Sequence, residues 1–283
     1  MRAALVQLSV SDDPQTNLGL VRDAVRQAVA GGAGFVLTPE VTNCVSSSRE
    51  HQQRVLSFEE DDPMLAMLRE EAARAGIWLL AGSLVLKTHD TDGRFANRSL
   101  LIDPAGAVVA RYDKIHMFDV QVSETEIYRE SAGIRPGDRA VVAQTPFATL
   151  GMSVCYDIRF PHLYRALAQA GAQVLTVPAA FSTVTGAAHW EVLLRARAIE
   201  TGCYVLAPAQ TGNHPNAQGK PRATWGHSMA VAPWGEVLVD GGTAPGIFFV
   251  DLDMAEVARA RTRVPALSHD RPYTGPEGGG GAQ

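Results

Sequence analysis

A surplus of positive charge is missing. In 283 residues, 25 Lys+Arg face 30 Asp+Glu for a net charge of −5, so the basic footprint of a nucleic-acid binder is absent. Cysteine is scarce as well. Cys44, Cys155 and Cys203 lie far apart with no CxxC spacing, which argues against a disulfide framework and against a thiolate metal site. No apolar run approaches the roughly 20 residues of a membrane-spanning helix. The opening residues Met1 to Val6 pass straight into a strand-like pattern without a signal-peptide layout, so a cytoplasmic protein with no membrane partner is expected. What is present is 46% hydrophobic and 19% charged, enough for a well-filled core. Residues 1–274 read as a single domain, followed by a glycine-rich tail, 275–283, expected to be disordered.

Short apolar runs alternate with helical patterns, the rhythm of a layered α/β or α+β fold. Strands are predicted at Ala3 to Leu8, Phe35 to Thr38, Trp78 to Leu86, Ser99 to Ile102 and Val108 to Tyr112. Leu18, Val21, Val25 and Val29 recur at helical spacing until Gly31-Gly32, where a glycine can take a left-handed cap. Asp62-Pro63 opens a second helix that ends at Gly76. The second half repeats this grammar. A helix from Phe160-Pro161 to about Gly171 precedes a strand at Val174 to Val177, and a helix from Ala187 to Glu200, capped at Gly202, precedes a strand at Cys203 to Ala207. Gly32 to Glu40 parallels Gly171 to Ala179, and Ala75 to Gly82 parallels Thr201 to Pro208, which suggests two similar sheets packed face to face with helices outside.

Three residues stand where such sheets gather chemistry, at the carboxyl ends of strands. Cys155 lies in Val154-Cys155-Tyr156-Asp157-Ile158-Arg159-Phe160-Pro161, between an apolar strand and a helix opened by proline. That turn presents a nucleophile at the sheet rim and aims the next backbone N–H at a developing oxyanion. A lone cysteine is more often a small buried hydrophobe, and Cys44 and Cys203 keep that reading. Glu40 follows the strand Phe35 to Pro39, and Lys114 follows Val109 to Tyr112. Singly, each reads as a solubilising surface charge. Converging on one rim, the thiol, the carboxylate and the ammonium would supply nucleophile, proton carrier and oxyanion stabiliser for acyl transfer. A histidine base is disfavoured because no His has metal-ligand spacing to another and His116, His189 and His227 suit structural roles. Arg195 and Arg197 with Glu191 and Glu200 read as a charged helix face with spaced ion pairs.

Thr38-Pro39-Glu40, Tyr112-Asp113-Lys114-Ile115-His116 and the Cys155 segment resemble the glutamate, lysine and cysteine segments of the nitrilase superfamily of carbon–nitrogen hydrolases. Gly186 to Glu191, Leu194 to Glu200, Trp225 to Met229 and Pro233-Trp234-Gly235 are similar to its Nit branch, and the resemblance runs from Met1 to about Tyr273. It implies a four-layer α-β-β-α sandwich, a homodimer or higher homo-oligomer, and neither metal nor organic cofactor. It also implies cleavage of a small primary amide bearing a carboxylate, with release of ammonia through a cysteine thioester. Deaminated glutathione amidase activity is the favoured member, with omega-amidase action on α-ketoglutaramate or N-carbamoyl hydrolysis as alternatives and a non-catalytic scaffold as a contrasting class. Glu40 would be the base, Cys155 the nucleophile, and Lys114 with the Tyr156 N–H the oxyanion partners. Glu130 would be the fourth active-site residue, with Glu126 as its rival, because the segment Phe118 to Ser123 departs from the family pattern. Arg159, Phe181 and Thr185 would bind substrate, Arg159 through its carboxylate unless it braces Asp157 or Glu191.

Overall fold

The computed structural model describes residues 1–122, 124, 126–217 and 219–275; apart from Gly275, the tail expected to be disordered lies outside them. Strand β1 (Arg2–Gln7) leads through α1 (Pro14–Ala30) to β2 (Phe35–Leu37), and α2 (Arg49–Val55) and α3 (Pro63–Ala75) lead on to β3 (Trp78–Leu86), β4 (Ala96–Ile102) and β5 (Val108–Asp113). A hairpin of β6 (Asp119–Gln121) and β7 (Ile127–Arg129) follows. The second half runs β8 (Val141–Gln144), β9 (Thr149–Met152), α4 (Pro161–Gln169), β10 (Val174–Thr176), α5 (Thr183–Thr201) and β11 (Tyr204–Ala207). After it come β12 (Thr211–His214), β13 (Arg222–Trp225), β14 (Met229–Val231), β15 (Val237–Asp240), β16 (Gly246–Asp251) and α6 (Met254–Arg263).

Two six-stranded sheets result, ordered β16-β1-β2-β3-β4-β5 and β15-β14-β11-β10-β9-β8. Each has three parallel strands at its centre, β1-β2-β3 and β9-β10-β11, with antiparallel strands on both flanks. Side chains alternate across the first sheet. Ala3, Leu5, Phe35, Leu37 and Leu80 face the second sheet's Leu150, Met152 and Val174, whereas Ala4, Val6, Val36 and Leu79 pack on Val21 and Val25 of α1 and Leu68 of α3. Burial on both faces makes these strands near-continuous hydrophobic runs. Helices α4 and α5 cover the second sheet, completing the four-layer α-β-β-α sandwich.

The internal likeness of the two halves extends to register. Phe35 and Leu37 pair with Trp78 and Leu80; the corresponding Val174 and Thr176 pair with Tyr204 and Leu206. Gly76 and Gly202 cap α3 and α5 with nearly the same left-handed φ, 63° and 61°. Some boundaries differ from the sequence reading. After α1 the left-handed residue is Gly32, at φ 85°, while Gly31 has φ −76°. Helix α5 begins at Thr183 rather than Ala187, and β4 begins at Ala96 rather than Ser99, taking the buried polar Asn97 into the strand.

His214 fixes the β12–β13 hairpin to the segment that follows β1. Its Nδ1 lies 2.8 Å from the Val10 carbonyl and its Nε2 2.8 Å from Thr224 Oγ1. A neutral ring satisfies both, donating to the carbonyl and accepting from the hydroxyl. Burial pushes the imidazole down to about 4. Its stabilising contribution is therefore full above the unfolded value near 6.5 and is lost as pH falls from there toward 4, at about 1.4 kcal/mol per unit. Urea unfolding of the wild type and His214→Gln at pH 7 and pH 4.5 should show the stability gap between them shrinking by about 2–3 kcal/mol. A gap that stays constant would mean the ring is not held neutral.

Candidate active site

The ends of β2, β5 and β9 bring Glu40, Lys114 and Cys155 to one rim between the sheets, where all three line a cavity of about 400 Å³ together with Glu130. The three are at most 7% exposed. Lys114 Nζ donates to Glu40 Oε1 at 3.0 Å and to both oxygens of Glu130 at 2.9 Å. Asn97 Nδ2 donates to Glu40 Oε1 at 2.9 Å and to Glu130 Oε1 at 3.4 Å. Backbone amides complete the carboxylates' shells: Ala180 N–H donates to Glu40 Oε2 at 2.7 Å, and Phe118 N–H to Glu130 Oε2 at 2.6 Å. Glu40 and the Cys155 thiol lie close enough in this cavity to shift each other's ionisation.

The charges follow from these contacts. Burial alone would raise Glu40, yet the Lys114 ammonium, with help from Cys155 and Arg222, holds its carboxyl below the usual range. Burial would likewise lower Lys114, but Glu130 and Glu40 push it up. Burial, followed by the Glu40 charge, drives the Cys155 thiol well above its ordinary value. An ionised carboxylate thus stands against a protonated thiol, beside a firmly charged ammonium.

Local backbone sets this geometry. Cys155 opens a short 3-10 turn, Cys155–Arg159, at φ 50°, and its N–H donates to Pro178 O at 2.9 Å. Asp157, fully buried, secures the turn by accepting from Val154 N at 2.9 Å, Tyr112 Oη at 2.7 Å and His116 N at 3.0 Å, with the His116 ring at 2.7 Å. On the other side Val41, directly after Glu40, has φ 51° and donates its N–H to Ser83 Oγ at 2.9 Å. Gly82 makes the crossing possible, because a Cβ there would lie 1.9 Å from the Thr38 carbonyl oxygen.

Around the cavity, Glu130 meets Lys114, while Glu126 accepts from Tyr128 Oη at 2.6 Å. Tyr156 and Phe181 line the wall; Thr185 does not, although its Oγ1 is buried with no partner among the described residues. Arg159 spreads over the rings of Tyr156 and Phe181, 5.7 and 5.5 Å from their centroids, and reaches His189 Nδ1 at 3.3 Å. It braces neither Asp157 nor Glu191; the latter pairs with Arg195 at 3.1 Å. Arg197 departs from the expected exposed helix face. It is buried, donates to Ile158 O at 2.8 Å and stacks on Tyr164, while keeping its pair with Glu200. Cys44 and Cys203 are buried, and burial pushes the Cys44 thiol up to about 12. Sequence reasoning missed Asn97, the Ala180 amide and Arg222, a further cation on the cavity wall. None left a plain signal, and Asn97 stands in the polar stretch Ala96-Asn97-Arg98-Ser99 that opens β4. Among the described residues no group of three or more His, Cys, Asp or Glu is placed to hold a metal ion.

Comparison with known proteins agrees with this architecture. Residues 2–262 match the carbon–nitrogen hydrolase family. The chain is 41% identical to the deaminated glutathione amidase of Yersinia enterocolitica, over 95% of this chain and 92% of that protein. It is 38% identical to the human protein of that name, over 95% and 82%. The Caenorhabditis elegans NitFhit protein superposes with a TM-score of 0.86 at 34% identity, covering 95% of this chain, which spans 65% of that longer one. A glutamate-to-glutamine variant of the amidase from Nesterenkonia sp. AN1, bearing the acetamide moiety of fluoroacetamide on its active-site cysteine, superposes at 0.76 with 31% identity over 92% of each chain. The chain belongs to the carbon–nitrogen hydrolase family, in the Nit branch of the nitrilase superfamily, and is an amidase by kinship.

Proposed function

We propose that Glu40, Lys114 and Cys155 are the catalytic triad of this amidase. The observation that carries the reading is the Glu40 carboxylate, bonded to the Lys114 ammonium and lining one cavity with the Cys155 thiol. Glu40 takes the thiol proton as Sγ attacks the amide carbonyl. Lys114 and the Tyr156 N–H stabilise the oxyanion. Collapse of this adduct breaks the carbon–nitrogen bond, Glu40 returns the proton to the departing amine, and an acyl thioester remains. Water, deprotonated by Glu40, adds to the thioester, and the second collapse releases the carboxylic acid and restores the thiol. Glu130 and Asn97 hold Lys114 and Glu40 in register.

The substrate we favour is a carboxylate-bearing amide of the deaminated glutathione class, which the relatives' names support. The amine expelled is cysteinylglycine from that compound and ammonia from a primary carboxamide. Arg159 does not itself line the cavity but covers two residues that do, Tyr156 and Phe181, and from there its guanidinium fork would match a substrate carboxylate bidentately. A homodimer is supported by apolar side chains left exposed on α5 and beyond it: Val192, Ile199, Trp234 and Leu238. Among the described residues no helix is long and apolar enough to cross a membrane.

Four outcomes are expected. Cys155→Ala should lose several orders of magnitude in turnover with the fold intact. In Glu40→Gln, acylation and deacylation should both fail, so intact-protein mass spectrometry of that variant with substrate should find no acyl adduct forming at the normal rate; a normal rate contradicts the base role. In the pH profile, activity needs Glu40 ionised and the thiol protonated. Because the carboxyl is depressed and the thiol raised, kcat/KM should stay flat between about 4.3 and about 8.5, the ordinary values of the two groups. An acid limb near neutrality would mean another group is the base. Finally, Arg159→Lys should raise KM for carboxylate-bearing amides about tenfold or more while neutral amides barely respond. Equal losses on both would make Arg159 a support of the fold.

A further inference from the structure

The cavity is larger than a small carboxamide needs, and its walls carry cations beyond Lys114, namely Arg49, Arg129 and Arg222. Arg222, on β13, is partly buried and has no carboxylate partner among the described residues. Its one hydrogen bond runs from Nη2 to Ala180 O at 3.0 Å, leaving most of the guanidinium donors of this wall residue unspent. Ser182, which bridges to Thr224 of the same strand, also lines the cavity, and its hydroxyl is buried with no hydrogen-bond partner among the described residues. A cation with no carboxylate bonded to it, beside an unpaired hydroxyl, is the donor set that a carboxylate completes.

The side of the site follows from Ala180. Its N–H holds Glu40 Oε2 at 2.7 Å while its carbonyl holds Arg222, so the guanidinium stands one peptide unit from the group that hands a proton to the departing amine. Arg159 lies elsewhere, over Tyr156 and Phe181 beside the nucleophile's own turn. We infer that Arg222, with Ser182, forms a second anion subsite that binds a carboxylate on the leaving amine, so that the preferred substrate is a peptide-like amide carrying negative charge on both sides of the scissile bond. This inference rests on the triad and the substrate class proposed above.

The test compares deaminated glutathione, its C-terminal carboxamide, which differs by one charge, and α-ketoglutaramate, whose leaving group is ammonia. Wild-type kcat/KM should fall about tenfold or more on amidation of the C-terminus. In Arg222→Gln, which can still donate to Ala180 O, the acid-to-amide ratio should collapse to within about twofold, chiefly through KM, and Arg222→Lys should restore part of it. A wild type that turns over the acid and the amide equally overturns the subsite and leaves the proposed function standing. A ratio that survives in Arg222→Gln also overturns it, placing the carboxylate on another cation. Proportionate losses on all three substrates in Arg222→Gln would make the residue a brace for Ala180 and Glu40. Hydrolysis of α-ketoglutaramate without hydrolysis of either peptide amide would overturn the substrate class itself.

Discussion

The buried ammonium of Lys114 is the contact on which the site depends. Two carboxylates, Glu40 and Glu130, approach it within 3.0 Å in a setting almost closed to water. Without the ammonium they would be like charges sharing one pocket, and one of them would have to take up a proton. Desolvating three charges is costly, and Coulomb attraction offsets that cost only where the remaining lone pairs and protons are satisfied. Here they are, by the Asn97 amide and the N–H groups of Ala180 and Phe118. The lysine backbone is fixed too, donating to Asn97 O at 3.0 Å and accepting from Gly137 N at 2.8 Å. The charge on Glu40, and so its capacity to accept a proton at neutral pH, is set by this arrangement more than by Glu40's own surroundings.

A second buried carboxylate does comparable work on the backbone. Asp157 ties the turn carrying Cys155 to Tyr112 and His116, which flank Lys114 in sequence, so thiol and ammonium are referred to one anchor. The two residues that carry or adjoin the reactive groups, Cys155 and Val41, both sit near φ 50°. That region is unfavourable for a side chain, and for a β-branched one most of all. It persists where surrounding bonds over-determine it. Pro178 O and Asp157 supply them for Cys155, Ser83 Oγ for Val41.

Much of this was legible in the chain because it is local. Short apolar runs, helix starts at proline and glycine caps mark α3, β3, α4 and β11 to within a residue or two, and strand-end positions single out Glu40, Lys114 and Cys155. What escaped is set by tertiary convergence. Asn97 is one polar residue in the stretch Ala96 to Ser99 until β4 brings it between two carboxylates 57 and 33 residues away. Arg222 reads as one more loop cation until its hairpin folds back over Ala180. The Ala180 N–H has no side-chain signature at all. Helix α5 was read four residues short because Thr183, Val184 and Thr185 are poor helix formers, and tertiary packing overrides that propensity.

The internal likeness explains why the site is built as it is. Thr38 N–H bonds Leu80 O, and at the corresponding place in the other half Val177 N–H bonds Leu206 O; Pro39-Glu40 answers to Pro178-Ala179. The same backbone frame therefore ends in two similar rims, and the groups of the proposed triad are divided between them. The first half contributes side-chain charge, Glu40 and Lys114. The second contributes the thiol, together with main-chain groups: the Pro178 carbonyl that fixes Cys155 and the Ala180 N–H that caps Glu40. Ala179, where the first half has glutamate, leaves room for that division, since a second carboxylate there would add a like charge beside Glu40 and raise the pKa that Lys114 holds down. A duplicated frame thus becomes one asymmetric site by changing few side chains, while the strand ends that position them stay the same.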